Sequence, residues 1–114
     1  MAIFIVQGCY SQASIIGMIN KPEDRSIAVA KLAKAVGGKL LDYYVTFGEY
    51  DFTVIIEGGR GKSEADMMAA SMAAAASGGV TNLKTTVGIR SKDSMKAMRA
   101  AKKVGAVVEG SISY

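Results

Sequence analysis

One local plan occurs twice in this chain, and it limits the possible folds more than any other feature. A helix-period segment runs into a Gly-Gly pair and then a β-prone run, first at Ala35-Val36-Gly37-Gly38-Lys39-Leu40 and again at Ala76-Ser77-Gly78-Gly79-Val80. Glycine readily takes the left-handed conformation that closes a helix, so each pair reads as a helix end. Ahead of the first helix lies the apolar run Ala2-Ile3-Phe4-Ile5-Val6, closed by Gly8 and read as a buried strand. Two more β-prone runs separate the helices. In Lys39–Phe47, Leu41, Tyr43, Val45 and Phe47 alternate with Leu40, Asp42, Tyr44 and Thr46. After the turn Gly48-Glu49-Tyr50-Asp51, Phe52, Val54 and Ile56 alternate with Thr53, Ile55 and Glu57. A last run, Val80–Ile89, alternates through Leu83, Thr85, Val87 and Ile89. Strand, helix, strand, strand, helix, strand is the order of a split βαβ unit. Right-handed crossovers then place both helices on one face of a four-stranded antiparallel sheet, an α+β fold of the ferredoxin-like βαββαβ type.

Finer signals fill in the helices. Ser11 offers a cap for a short helical segment through Ile15, Ile16 and Met18. Pro22 suits the start of the next segment, with Glu23 and Asp24 in its first turn, where the helix dipole favours acids. Val29, Leu32, Ala33 and Val36 then share one face. Ser63 and Asp66 form a capping pattern, and Ala65, Met68, Ala69, Met72 and Ala76 are the inward stripe expected of the helix that follows. A further helix is expected at about Asp93 to Val104, followed by an extended tail, Gly105–Tyr114, suited to a neighbour's sheet edge. Residues 1–90 therefore form the ferredoxin-like unit, and 91–114 extend the same domain.

The 114 residues give room for one core, yet 50% of them are hydrophobic. Both alternating sets of Lys39–Phe47 carry large apolar residues, while the two helices cover only one sheet face. The other face calls for a partner, and the sheet of a second copy is the simplest supplier, enclosing a barrel-like space. The net charge of +4 is spread out. Lys92, Lys96, Arg99, Lys102 and Lys103 fall at helical spacing as a solvated face, without the interleaved aromatics that bind single strands, so no nucleic-acid partner is expected. There is no histidine and Cys9 is the only cysteine. That excludes histidine-based acid–base chemistry, Cys–His or Ser–His nucleophile pairs, an internal disulfide and a cysteine zinc cluster. No cofactor or metal is expected. The start lacks a basic leader region and Met67–Ala76 is too short to span a bilayer, so a cytoplasmic location with no membrane partner is the expectation.

Few side chains stand out as a site. Glu49 and Asp51 could act as paired carboxylates, one of them a general base; equally, Asp51 or Glu49 could bond turn amides while Tyr50 packs over the strand ends. Arg25 could clamp a carboxylate or phosphate, or simply pair with Glu23, Asp24 or a neighbouring subunit's acid. Tyr10, Tyr43 and Tyr44 would surround the space between sheet and helices or between two sheets, and a phenol there can orient a ligand. Cys9 reads as an inert, largely buried thiol. Gly58-Gly59-Arg60-Gly61-Lys62-Ser63 fails as a phosphate loop, because Ile56 stands where the first glycine is required.

The segment Gly48-Glu49-Tyr50-Asp51, with Gly37-Gly38-Lys39-Leu40 before it and Leu83-Lys84-Thr85-Thr86 after it, is similar to the GYD-domain proteins. The opening Ile5-Val6-Gln7-Gly8-Cys9-Tyr10-Ser11 and the Pro22–Arg25 segment fit as well, so the resemblance covers about Ala2 to Ile89. It implies a dimeric α+β barrel of ferredoxin-like subunits, and related barrels include small-molecule effector domains and cofactor-free oxygenases. Three functions follow as expectations. The leading one is a homo-oligomeric binding or regulatory module holding a small anionic or aromatic ligand, with Tyr10, Arg25, Tyr44 and Tyr50 as candidate contacts. The runner-up is a cofactor-independent oxygenase or isomerase using Glu49 or Asp51 with a tyrosine. The third is a purely structural assembly protein.

Overall fold

A computed structural model of the chain describes residues 2–46, 48–58 and 64–111. In chain order the elements are β1 (Ile3–Tyr10), α1 (Gln12–Asn20), α2 (Ser26–Ala35), β2 (Lys39–Val45), β3 (Phe52–Glu57), α3 (Glu64–Ala76), β4 (Val80–Gly88) and α4 (Ser94–Ser111). The four strands form one sheet in the order β2-β3-β1-β4, with every neighbouring pair antiparallel. This is the strand order and direction of a ferredoxin-like α+β fold.

Residues opposite one another on neighbouring strands share a face. Phe4 stands opposite Ile56, Val6 opposite Val54 and Gly8 opposite Phe52. These face α2 and α3, where Ala33, Met67 and Ala70 complete a core with Phe4, Phe52, Val54 and Ile56. Ile3, Ile5 and Gln7 share the opposite face with Glu57, Ile55 and Thr53. β1 does not close at Gly8 but continues to Tyr10. Glycine is needed there for space: a Cβ would lie 2.7 Å from Phe52 Cζ and 2.9 Å from Leu83 Cδ2.

Two bulges break the simple alternation. On β2, Leu40 stands opposite Ile56 and Asp42 opposite Ile55, so Leu41 is the extra residue. The bulge puts Leu40 and Tyr43 together against the core and separates Tyr43 from Leu41, with which strict alternation had grouped it. On β4 the register shifts opposite Gln7 to Cys9, and Asn82 takes φ 50°, a conformation asparagine tolerates better than most residues. Val80 and Leu83 thereby pack on the same core.

The helices depart from expectation in three places. Ser11 caps α1 as expected, its Oγ accepting from Ser14 N at 3.1 Å. α2, however, starts at Ser26 rather than at Pro22. Asp24 Oδ1 accepts from Ser26 N at 3.0 Å, closing a side-chain turn that leaves Pro22–Asp24 outside the helix. α2 ends as expected at Gly37, with φ 78°. In α3 the buried side is Met67 and Ala70, while Met68 and Met72 are 63% and 66% exposed. Alanine and methionine occupy nearly every face of this helix, so spacing alone gave no preferred side. Ser63 lies outside the described residues.

The third departure is the C-terminus, where α4 runs through Ser111 instead of giving way to an extended tail at Gly105. One interior glycine costs about 1 kcal/mol. That is too little to stop a helix in which each added residue gains a hydrogen bond. No proline follows Pro22 to break it. The helix projects from the sheet: the molecule measures 66 × 28 × 24 Å, with a radius of gyration of 18.2 Å. A compact chain of this length would have a radius of about 13 Å. Met98, Val104 and Val107 on α4 are 59–70% exposed. None of the described helices is long and apolar enough to cross a membrane.

Candidate functional site

Between the sheet and the two covering helices lies an apolar cavity of about 110 Å³. Val29 and Leu32 of α2, Met67 and Ala70 of α3, and Tyr43 and Leu83 of the sheet are among its walls. The small residues on α3 leave this space open: where leucine would fill the layer, alanine does not. Among the described residues, no carboxylate lines it.

A polar group stands at the margin of this cavity. The hydroxyls of Tyr10 and Tyr43 lie 2.5 Å apart, and the Tyr10 ring packs 5.1 Å from Phe52, centroid to centroid. Burial, reinforced by the hydrogen bond to Tyr43, pushes the Tyr10 phenol well above the usual tyrosine range, so it stays protonated at neutral pH. Above the Tyr10 ring sits Arg25, with its guanidinium carbon 5.7 Å from the ring centroid. Arg25 makes no ion pair with Glu23 or Asp24: the salt bridge found among the described residues is Arg90 with Glu57, at 2.6 Å. Its Nε is buried and has no acceptor. Arg25 also lines an outer cleft of about 370 Å³, together with Ser14, Gly17, Lys21, Glu23 and Gly79. Ser14 Oγ donates to Gly79 O at 2.7 Å, tying α1 to the turn before β4 and shaping that cleft.

The Gly48–Asp51 turn is built around Asp51. Its Oδ2 accepts from Tyr10 N at 2.9 Å, its own N–H donates to Gly8 O at 2.8 Å, and its carbonyl accepts from Thr46 N at 2.8 Å. Asp51 thus binds the turn to the end of β1, beside the backbone of Tyr10. Glu49 is exposed, and its carbonyl accepts a hydrogen bond at 3.7 Å from Sγ of Cys9, which is half-buried rather than largely buried. Tyr50 lies under Lys84 Nζ, 5.5 Å from the ring centroid, on the side of the sheet away from the helices. Tyr44, opposite Thr53 and 53% exposed, belongs to that same open face.

Of the candidates read from sequence, the structure brings Tyr10 and Arg25 together, with Asp51 close behind, and leaves Tyr44, Tyr50 and Glu49 elsewhere. Tyr43, on the cavity wall, is a phenol that the sequence offers for orienting a ligand, whereas the apolar walls carry no mark of a site. Their signal, the face of Val29 and Leu32, reads as core packing in any sequence. Among the described residues, no group of three or more His, Cys, Asp or Glu side chains could hold a metal ion.

A four-stranded antiparallel sheet with the order β2-β3-β1-β4, helices on one face and a Gly-Glu-Tyr-Asp turn joining β2 to β3 defines the class: a small ferredoxin-like α+β domain. The chain belongs to the GYD domain family, whose model matches residues 4–99. The match runs past Ile89 into the first turns of α4, so this helix begins within the family pattern. Two solved structures are similar. One is a hypothetical protein, PHS023, from Pyrococcus horikoshii, 14% identical, covering 79% of this chain and 92% of that one, with a TM-score of 0.48. The other is FFRP-DM1, 16% identical, covering 78% of this chain and 100% of that one, with a TM-score of 0.48. No curated protein matches the chain.

Proposed function

We propose that the protein is a small-molecule-binding module that works as a homo-oligomer, holding its ligand between the sheet and helices α2 and α3. The observation that carries this reading is the apolar cavity of about 110 Å³. A packed core leaves few voids larger than a water molecule. Apolar cavities on the order of 150 Å³ stay dry and take up a benzene-sized guest. A purely structural partner has no use for such a space. The enzymatic reading draws less support, since Asp51 is committed to the turn, Glu49 is exposed and, among the described residues, no carboxylate lines the cavity. Assembly is supported by the open sheet face, where Ile3, Ile5 and Ile55 sit beside exposed Leu41 and Tyr44 with no helix over them. A cytoplasmic setting fits the single free cysteine and remains part of the proposal.

Native mass spectrometry of protein purified from cells tests both parts, reporting subunit number and any retained ligand. A dimer or larger species carrying added mass is expected. A monomer without added mass would overturn the reading.

A further inference from the structure

Two donors around Tyr10, whose hydroxyl partner Tyr43 lines the cavity, have nothing to donate to among the described residues. Tyr10 and Tyr43 carry two hydroxyl protons but share one hydrogen bond, and neither hydroxyl has another partner among the described residues. One proton is therefore left over, on a pair whose Tyr43 member lines the cavity. Arg25 Nε is buried without an acceptor, and its guanidinium sits over the ring of the same Tyr10. Leaving a buried donor unpaired is costly, and more so when the donor is charged. Both vacancies ask for an acceptor, and the positive charge of Arg25 asks for an anionic one.

We infer that the ligand is a small carboxylic acid with a compact apolar body, aromatic or branched-aliphatic, its body in the cavity and its carboxylate received by Arg25 and the free hydroxyl of the Tyr10–Tyr43 pair. This rests on the cavity being the ligand site, as proposed above. The walls set the body: they are apolar, and about 110 Å³ suits a single ring or a short branched chain. Two features set the head. A planar guanidinium matches the two oxygens of a carboxylate. Glu23, on the wall of the outer cleft next to Arg25, opposes a doubly charged phosphate more than a single negative charge. Lys21, on the same cleft, makes no ion pair among the described residues and adds positive charge there.

The test is an NMR titration of the full chain at neutral pH with benzoate, toluene and inorganic phosphate, following the methyl groups of Val29, Leu32 and Leu83. Benzoate and toluene should both move these methyls, with benzoate binding about tenfold more tightly, the gain of one charge-assisted hydrogen bond. Arg25→Gln should remove that advantage and leave toluene binding unchanged; Tyr43→Phe should weaken benzoate in the same sense. Circular dichroism and the methyl spectrum check that each variant folds, and Tyr43→Phe carries the test if Arg25→Gln does not. If toluene binds and benzoate gains nothing, or benzoate survives both substitutions unchanged, the carboxylate assignment fails while the cavity reading stands. Phosphate that competes with benzoate without moving the methyls would reassign the cleft to simple anions and overturn the inference. If neither toluene nor benzoate reaches the methyls, the cavity reading falls and the inference with it.

Discussion

Filling the cavity from α3 should stabilise the fold. Ala70 is 8% exposed and lines the cavity of about 110 Å³. Ala70→Leu adds three carbons, each worth about 0.8 kcal/mol on burial, for a ceiling of about 2.4 kcal/mol. Ordering the leucine side chain returns about 0.5–1 kcal/mol, and its slightly lower helix propensity returns a few tenths more. The net expectation is a gain of about 1 kcal/mol, or about 4 °C in Tm for a domain of this size. Urea unfolding at constant m value measures it. The same variant should lose toluene binding, because the added side chain and the guest need the same space. A loss of about 1–3 kcal/mol would be the signature of overpacking. It would mean that Leu32, Met67 and Leu83 leave no usable room, and would refute the reasoning.

Other perturbations have equally definite outcomes. The Tyr10 phenol is raised by burial and by Tyr43, so above about pH 10 the unfolded chain gives up a proton that the folded chain keeps, and stability falls as pH rises. Tyr10→Phe should flatten that alkaline slope in urea melts run as a pH series, and an unchanged slope would count against a buried, hydrogen-bonded phenol. Gly38→Ala should cost about 1–3 kcal/mol, because its Cβ would lie 2.9 Å from the backbone oxygen of Glu57 and 3.2 Å from Ile56 Cγ2. Gly17→Ala, inside α1 with nothing within 4 Å of the new methyl, should instead gain about 0.5–1 kcal/mol in the same melt. Asp51→Ala removes the acceptor of Tyr10 N and should cost about 1–2 kcal/mol. A variant as stable as the parent would show that the carboxylate does not hold the turn.

The order of strands and helices was legible because it rests on long-period signals: glycine pairs at helix ends, and alternation in Phe52–Glu57, where Phe52, Val54 and Ile56 are indeed the buried set. What escaped were events one residue long. The extra residue at Leu41 reverses the facing of everything before it on β2, and nothing in the composition of Leu40-Leu41-Asp42 announces it. The start of α2 turned on a single side-chain bond from Asp24, competing with a helix that Pro22 could equally have opened. In α3 the trouble was the reverse, too many equivalent faces. For the site, Tyr10 and Arg25 were recognisable as residue types with something to offer. Their meeting depends on the end of β1 lying beside the start of α2, a tertiary fact. The cavity is defined by what alanine leaves out, and absent volume has no sequence pattern.

The two bulges have a consequence for how this molecule can meet its own kind. They fall one on β2 and one on β4, the two outermost strands of the sheet. A bulged border twists away from the flat, regular row of amides and carbonyls that a foreign strand needs as a template. Growth of the sheet sideways, the route to runaway polymers, is therefore hindered at both borders at once. The assembly proposed above would then use the broad surface bearing Ile3, Ile5 and Ile55, a geometry that closes after two partners rather than propagating.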